Sequence, residues 1–196
     1  VPIILFVPWG VRPSGSFGQS EISVLERINK FQDGLTKRNI PSQVLIMPAD
    51  LYATEVNNQV GDEQVVDYFG KVATFASKSF RFTIKPWSTI RTENWQTYQA
   101  KAQKLTPLAI RALLTPYKIQ EAIAAAKRRS GYETAEDIQS AAFRYLRERI
   151  CEAEIVEANF QPIKLSAVPK AKDNEVDMTL PRLYIIPERQ QFPWLK

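Results

Sequence analysis

The 196-residue sequence contains no histidine and a single cysteine, Cys151. Without an imidazole, Ser-His-Asp and Cys-His catalysis are excluded. Zinc sites built on histidine are excluded too, and one thiolate cannot replace them. A general base must be Asp, Glu, Tyr, Lys or a group on the substrate, and a carboxylate cluster for magnesium stays open. One cysteine permits no intrachain disulfide, which suits a reducing compartment; the cytoplasm is the expected location. Long hydrophobic runs are lacking as well. The longest, residues 1–9, is about half the length a membrane-spanning helix needs, and it has no basic flank of the signal-peptide kind. It reads as a buried strand. There is no Met at position 1, as expected of a piece of a longer chain.

What is present describes an ordinary globular protein. Apolar residues make up 44% and charged residues 24%, enough to bury a core without a metal or disulfide. Residues 1–196 are read as one domain. The net charge of +5 is concentrated. Residues 1–100 carry ten basic and nine acidic side chains, residues 101–149 ten and five, and residues 150–196 six and seven. A basic segment at 101–149 is the electrostatic footprint of a polyanion partner, or else a solvated helical face.

The order of elements predicts an α/β protein. VPIILFV (residues 1–7) is a continuous apolar run ending in Pro-Trp-Gly, the pattern of a parallel strand buried on both faces. Residues 10–18 (GVRPSGSFG) are a Gly/Ser/Pro loop, and Ser20 is placed to cap a helix over residues 21–38. QVLIM (residues 43–47) is a second buried strand, so residues 1–48 form a β-loop-α-β unit. Residues 62–77 read as a helix and FRFTI (residues 80–84) as a third strand followed by a Pro86-Trp87-Ser88 loop. Helices are expected at 94–105, 108–114 and 118–129, the last stopped by Gly131. The longest, 134–158, opens on a Thr134 to Asp137 capping-box spacing. Residues 162–169 and 182–186 are two more candidate strands, separated by a polar loop at 170–179. The fold class that follows is Rossmann-like, a mostly parallel sheet with helices on both faces. Its ligand site lies beyond the carboxyl ends of the strands.

Three loops fall on that rim. Gly10, Gly15 and Gly18 with Ser14 and Ser16 lie between a strand and a helix N-terminus, where free amides hold an anion or carboxylate. Their spacing is neither Walker A nor the dinucleotide fingerprint. Asp50 and Tyr52 follow the second strand. The carboxylate there binds an amine, a ribose or a metal, or caps the following turn. Trp87, with Arg91 and Glu93, follows the third strand, as a pocket wall or as core. On the long helix Tyr145, Glu148, Arg149 and Glu152 share a face. They are surface ion pairs, or a histidine-free way to position an amine.

These segments together resemble, distantly, the tRNA-dependent cyclodipeptide synthases, whose Rossmann-type fold is related to class I aminoacyl-tRNA synthetases. The likeness rests on Gly10-Val11-Arg12-Pro13-Ser14-Gly15-Ser16-Phe17 after the first strand, on Met47-Pro48-Ala49-Asp50 after the second, and on Tyr145-Leu146-Arg147-Glu148-Arg149 in the late helix. It implies aminoacyl transfer from aminoacyl-tRNA, with no cofactor. The Gly/Ser loop then binds the aminoacyl ester and supplies the nucleophile and oxyanion donors. Tyr145 and Glu148 hold the α-amino group, and Gly10, Arg12, Asp50, Tyr52, Trp87 and Arg149 surround the substrate. Lys118, Lys127, Arg128 and Arg129 hold the tRNA backbone. Arg12 stands where the family has its nucleophilic serine, and Arg149 where it has its glutamate. The nucleophile's role therefore falls to Ser14 or Ser16, and Arg12 and Arg149 are alternatively ligands of an anionic group. A nucleotide- or RNA-binding module without catalysis, and an isocyanide synthase acting on a free amino acid, are the alternatives.

Overall fold

The computed structural model describes residues 1–10, 16–56, 62–128, 134–166 and 181–184. Strand β1 (Ile3–Trp9) leads to helix α1 (Gln19–Thr36), β2 (Ser42–Pro48) and a π-helical turn (Tyr52–Val56). Then come α2 (Asp62–Phe80), β3 (Thr83–Ile84), α3 (Trp87–Glu93), α4 (Trp95–Lys104), α5 (Pro107–Leu113) and α6 (Pro116–Lys127). Helix α7 (Ala135–Phe160), β4 (Ile163–Ser166) and β5 (Arg182–Tyr184) complete the described elements.

The strands form one sheet in the order β3-β2-β1-β4-β5, and every neighbouring pair is parallel. The order departs from β1 in both directions, which makes the gap between the carboxyl ends of β1 and β4 the switch point where open α/β sheets bind ligands. The apolar runs account for this arrangement. Successive strand residues face opposite ways, and here both faces are covered. Leu5, Val7, Trp9, Val44, Ile46 and Leu165 share a cluster with Leu25, Ile28 and Phe31 of α1 and Tyr68, Phe69 and Val72 of α2. Phe6, Leu45 and Met47 share another with Trp87 and Ile90 of α3 and Ile155 and Val156 of α7. Each fully buried aliphatic or aromatic side chain contributes about 1.5–3 kcal/mol. A third cluster lies away from the sheet, where Ala122 and Ala126 of α6 meet Ala141, Ala142, Phe143 and Leu146 of α7. Small residues in such a contact let two helix backbones approach closely.

The parallel sheet with helices on both faces agrees with the sequence pattern, and several local readings are corrected. Gly18, not Ser20, is the N-cap of α1. The Gly18 N–H donates to Glu21 Oε2 at 3.1 Å, so the carboxylate supplies the cap and the helix starts earlier. Phe80 belongs to α2 rather than to a strand. Arg81 takes a left-handed φ of 58° and breaks the helix after it, leaving β3 only Thr83 and Ile84. Trp87 and Ser88 open α3 instead of forming a loop. The capping box of α7 is present: Thr134 Oγ1 accepts from Asp137 N at 3.0 Å, and Thr134 N donates to Asp137 Oδ2 at 3.2 Å. Gly131 and the loop expected at 170–179 lie outside the described residues. No helix among the described residues is long and apolar enough to cross a membrane.

Candidate functional site

The exits of β1 and β2 are tied together. Ala49 N–H donates to the Trp9 carbonyl at 2.8 Å, and Trp9 Nε1 donates to the Tyr68 hydroxyl at 3.0 Å. Gly10 is exposed, and no atom approaches the place a Cβ there would take. Arg12 and Ser14 lie outside the described residues; Ser16 lies within them and is exposed. The N-terminus of α1, expected to offer free amides to an anion, already holds the chain's own Glu21 carboxylate, which is buried.

Asp50 does not cap its own turn. Its Oδ1 accepts the Ser88 N–H at 3.1 Å, pinning the start of α3 to the end of β2. Asp50, Leu51, Thr54, Glu55, Val65 and Val66 line a pocket of 540 Å³ beyond β2. Both of its carboxylates are already engaged, Asp50 by the Ser88 N–H and Glu55 by the Arg91 guanidinium.

Behind this rim lies a nest of polar groups centred on Glu148, itself buried. Glu148 Oε1 accepts from Trp87 Nε1 at 2.6 Å and from Arg91 Nη1 at 3.3 Å, and Oε2 accepts from the Tyr98 hydroxyl at 2.6 Å. Arg91 also reaches Glu55 Oε2 at 3.0 Å, and its guanidinium lies 5.3 Å from the Tyr98 ring centre. Four separate segments, the π-turn, α3, α4 and α7, are thereby joined by one carboxylate and one guanidinium. Burial and then the bond to Glu148 raise the Tyr98 phenol above its ordinary pKa. Trp87 is fully buried, so it acts through its N–H on Glu148 and does not wall a pocket.

One turn along α7 lies a second set. Arg149 Nη1 donates to Glu152 Oε1, both residues are buried, and the guanidinium stacks over Tyr52, 5.6 Å from its ring centre. Tyr52 meets Tyr145 edge-on at 5.8 Å. Burial, followed by the Glu152 carboxylate, pushes the Tyr52 phenol well above its ordinary value, so it stays protonated. Tyr145 is half-buried. Cys151 is fully buried, and burial, then Glu148, lifts its thiol to about 12. Among the described residues no three metal-ligating side chains converge.

The structure thus brings Tyr52 and Trp87 to the Tyr145, Glu148, Arg149 and Glu152 face that helical spacing picks out. The sequence pattern misses Tyr98 and Glu55, and names Arg91 only as a neighbour of Trp87. The signal for Tyr98 is its position three residues after Trp95, whose ring stacks on it at 5.5 Å. Of the expected RNA contacts, Lys118 lies 3.7 Å from Glu121. Lys127 and Arg128 are exposed at the end of α6, and Arg129 is outside the described residues.

No protein-family model matches the sequence, and no curated protein is significantly similar to it in sequence. Solved structures are similar in fold. A CDPS from Fluoribacter dumoffii superposes with a TM-score of 0.60 at 13% identity, over 93% of this chain and 88% of that one. A cyclodipeptide synthase from Candidatus Glomeribacter gigasporarum, bound to Phe-tRNAPhe, superposes with a TM-score of 0.51 at 14% identity, over 94% of this chain and 87% of that one. The chain therefore shares the Rossmann-like fold of the cyclodipeptide synthases.

Proposed function

We propose that this protein is a tRNA-dependent aminoacyltransferase of the cyclodipeptide-synthase type, which joins two aminoacyl groups into a cyclic dipeptide or a related peptide-bond product. The observation that carries the reading is the shared fold over more than nine-tenths of the chain. The Gly/Ser sequence that follows β1, the pocket beyond β2 lined by Asp50 and the basic excess at 101–149 support it.

In this reading the hydroxyl of Ser14 or Ser16 attacks the carbonyl of an aminoacyl ester. The ester bond to the tRNA ribose breaks, the ribose oxygen leaves with the serine's proton, and an acyl-serine ester forms. Each amide bond of the product then forms when a free α-amine displaces an alcohol from an ester carbonyl, so two such aminolyses close the ring. Backbone N–H groups of the loop are the oxyanion donors. Asp50 attracts the α-ammonium group, and Tyr145 orients it. Glu148, with its oxygens already bonded to Trp87, Arg91 and Tyr98, is a positioning residue that fixes Arg91 and α4 against α7.

The test is incubation of the purified protein with tRNA, synthetases and amino acids, followed by mass spectrometry. A dipeptide or diketopiperazine that is absent after RNase treatment, and absent with Ser14→Ala or Ser16→Ala, is expected. No product from folded protein overturns the reading. The filled bonding capacity of Glu148 and the arginine at position 12 favour a second reading, an RNA-binding module without chemistry. It predicts tRNA binding that both serine substitutions leave unchanged, and no product.

A further inference from the structure

The excess positive charge of residues 101–149 is not evenly presented. Lys101 pairs with Glu154 at 2.5 Å, Lys118 with Glu121 at 3.7 Å, and Arg149 with Glu152 inside the protein. Arg111 and Arg147, by contrast, make no ion pair among the described residues, and both are exposed.

They meet in a groove. Glu136, Gln139, Ser140, Phe143, Arg144 and Arg147 recur at steps of three and one along α7, a single stripe of a helix with 3.6 residues per turn. Opposite that stripe stand Pro107, Ile110 and Arg111 of α5, and the space between holds 420 Å³. Its floor is apolar: Leu105, Ile110 and Phe143 are buried. Its walls carry three guanidinium groups against one carboxylate. The Arg111 guanidinium lies 4.9 Å from the Phe143 ring centre, which holds its planar fork over the floor and lowers the ordering cost of using it. Arginine in such a setting matches phosphate oxygens bidentately. Arginines spaced along α7 and across to α5, with polar Gln139 and Ser140 between them, suit an extended polyanion better than a single compact anion.

We propose that the α5–α7 groove is a phosphate-backbone binding surface for RNA, with Arg111 and Arg147 as the phosphate ligands. This rests on the tRNA-dependent reading and extends it to residues outside the Lys118, Lys127, Arg128 and Arg129 set. The groove and the Tyr145–Glu152 nest lie on different faces of the same helix, so α7 itself stands between a strand seated here and the nest.

The test is fluorescence anisotropy of 3′-labelled tRNA between 50 and 300 mM salt, using the full chain, Arg111→Gln/Arg147→Gln, and Lys30→Gln/Lys37→Gln on α1 as an equal change of charge across the sheet. Each phosphate contact contributes about 0.7 (single strand) to 0.9 (B-form duplex) to the slope of log affinity against log salt. The groove variant is expected to bind about ten- to a hundredfold more weakly, with a slope lower by about two, at an unchanged urea midpoint. The α1 variant keeps the wild-type slope. A groove variant indistinguishable from the α1 variant overturns the proposal. Wild-type protein that binds no tRNA overturns both this surface and the function it rests on. Groove-dependent binding without dipeptide product supports the surface and overturns the synthase reading alone.

Discussion

Replacing Glu148 by alanine removes one carboxylate and three hydrogen bonds. Trp87 Nε1, fully buried, is left without its acceptor, Tyr98 loses the partner of its hydroxyl, and Arg91 keeps only Glu55. Hydrogen bonds to a charged acceptor contribute about 1.5–3 kcal/mol each, and a buried donor stranded without a partner costs about 1–3 kcal/mol. Tyr98 and Arg91 are partly exposed, so water replaces part of what they lose. The net cost expected is about 3–5 kcal/mol, or a fall in Tm of roughly 10 °C for a chain of this size. Glu148→Gln keeps one carbonyl for Trp87 and turns its amide toward a Tyr98 hydroxyl able to accept. It is expected to cost about 1–2 kcal/mol. Equilibrium urea unfolding at pH 7.5 measures both, with an unchanged m-value as the sign that the same surface is exposed. Tyr98→Phe provides the cycle: its cost in the wild type should all but vanish in the Glu148→Ala background. An alanine variant within 1 kcal/mol of wild type, at constant m, would refute the view that this carboxylate joins four segments.

Three further outcomes follow from the same geometry. Arg149→Met leaves Glu152 buried without its guanidinium and should cost about 3–5 kcal/mol, whereas Arg149→Met/Glu152→Leu should return to within about 1 kcal/mol of wild type; urea midpoints decide. The folded state holds the Tyr52 and Tyr98 phenols above their ordinary value of 10.0. Their contribution is therefore fully present below pH 10 and is lost as pH rises toward the raised values. Unfolding midpoints followed from about pH 8 to pH 11 should fall less steeply in Tyr52→Phe than in wild type. The Cys151 thiol, buried and lifted to about 12, should react with a disulfide reagent at pH 8 only as fast as the native chain opens, and at once in urea.

How far the sequence carries the fold depends on the range of the interactions involved. VPIILFV and QVLIM read as doubly buried parallel strands because continuous apolar runs need cover on both faces, and α7 announces itself by its capping box. Elements set by tertiary contacts are not visible in that way. The two residues of β3 have no periodicity to detect, and the π-turn at Tyr52–Val56 interrupts no recognisable pattern. Trp87 looks like a strand-end residue until Asp50 takes the amide of Ser88, 38 positions further along the chain. In the site, the Tyr145–Glu152 face is legible from helical spacing alone. Its donors are not, since Tyr98 and Trp87 lie 50 and 61 residues from Glu148 and nothing local marks them as its partners.

Helix α7 is 26 residues long, about 39 Å at 1.5 Å per residue. Its last turns close the core against the sheet, and its first turns carry the α5 and α6 contacts. It is a shaft with two sets of keyways cut at a fixed angle to each other. Substitution on either set is a local event, but a one-residue insertion between Arg147 and Glu148 rotates one end against the other by about 100°. Such a change would turn the groove, and Tyr145 with it, out of line with Glu148, Arg149 and Glu152 while leaving every residue intact. Insertions are therefore expected to be tolerated in the loops, and within α7 only a change of whole turns, close to seven residues, keeps the two faces in phase.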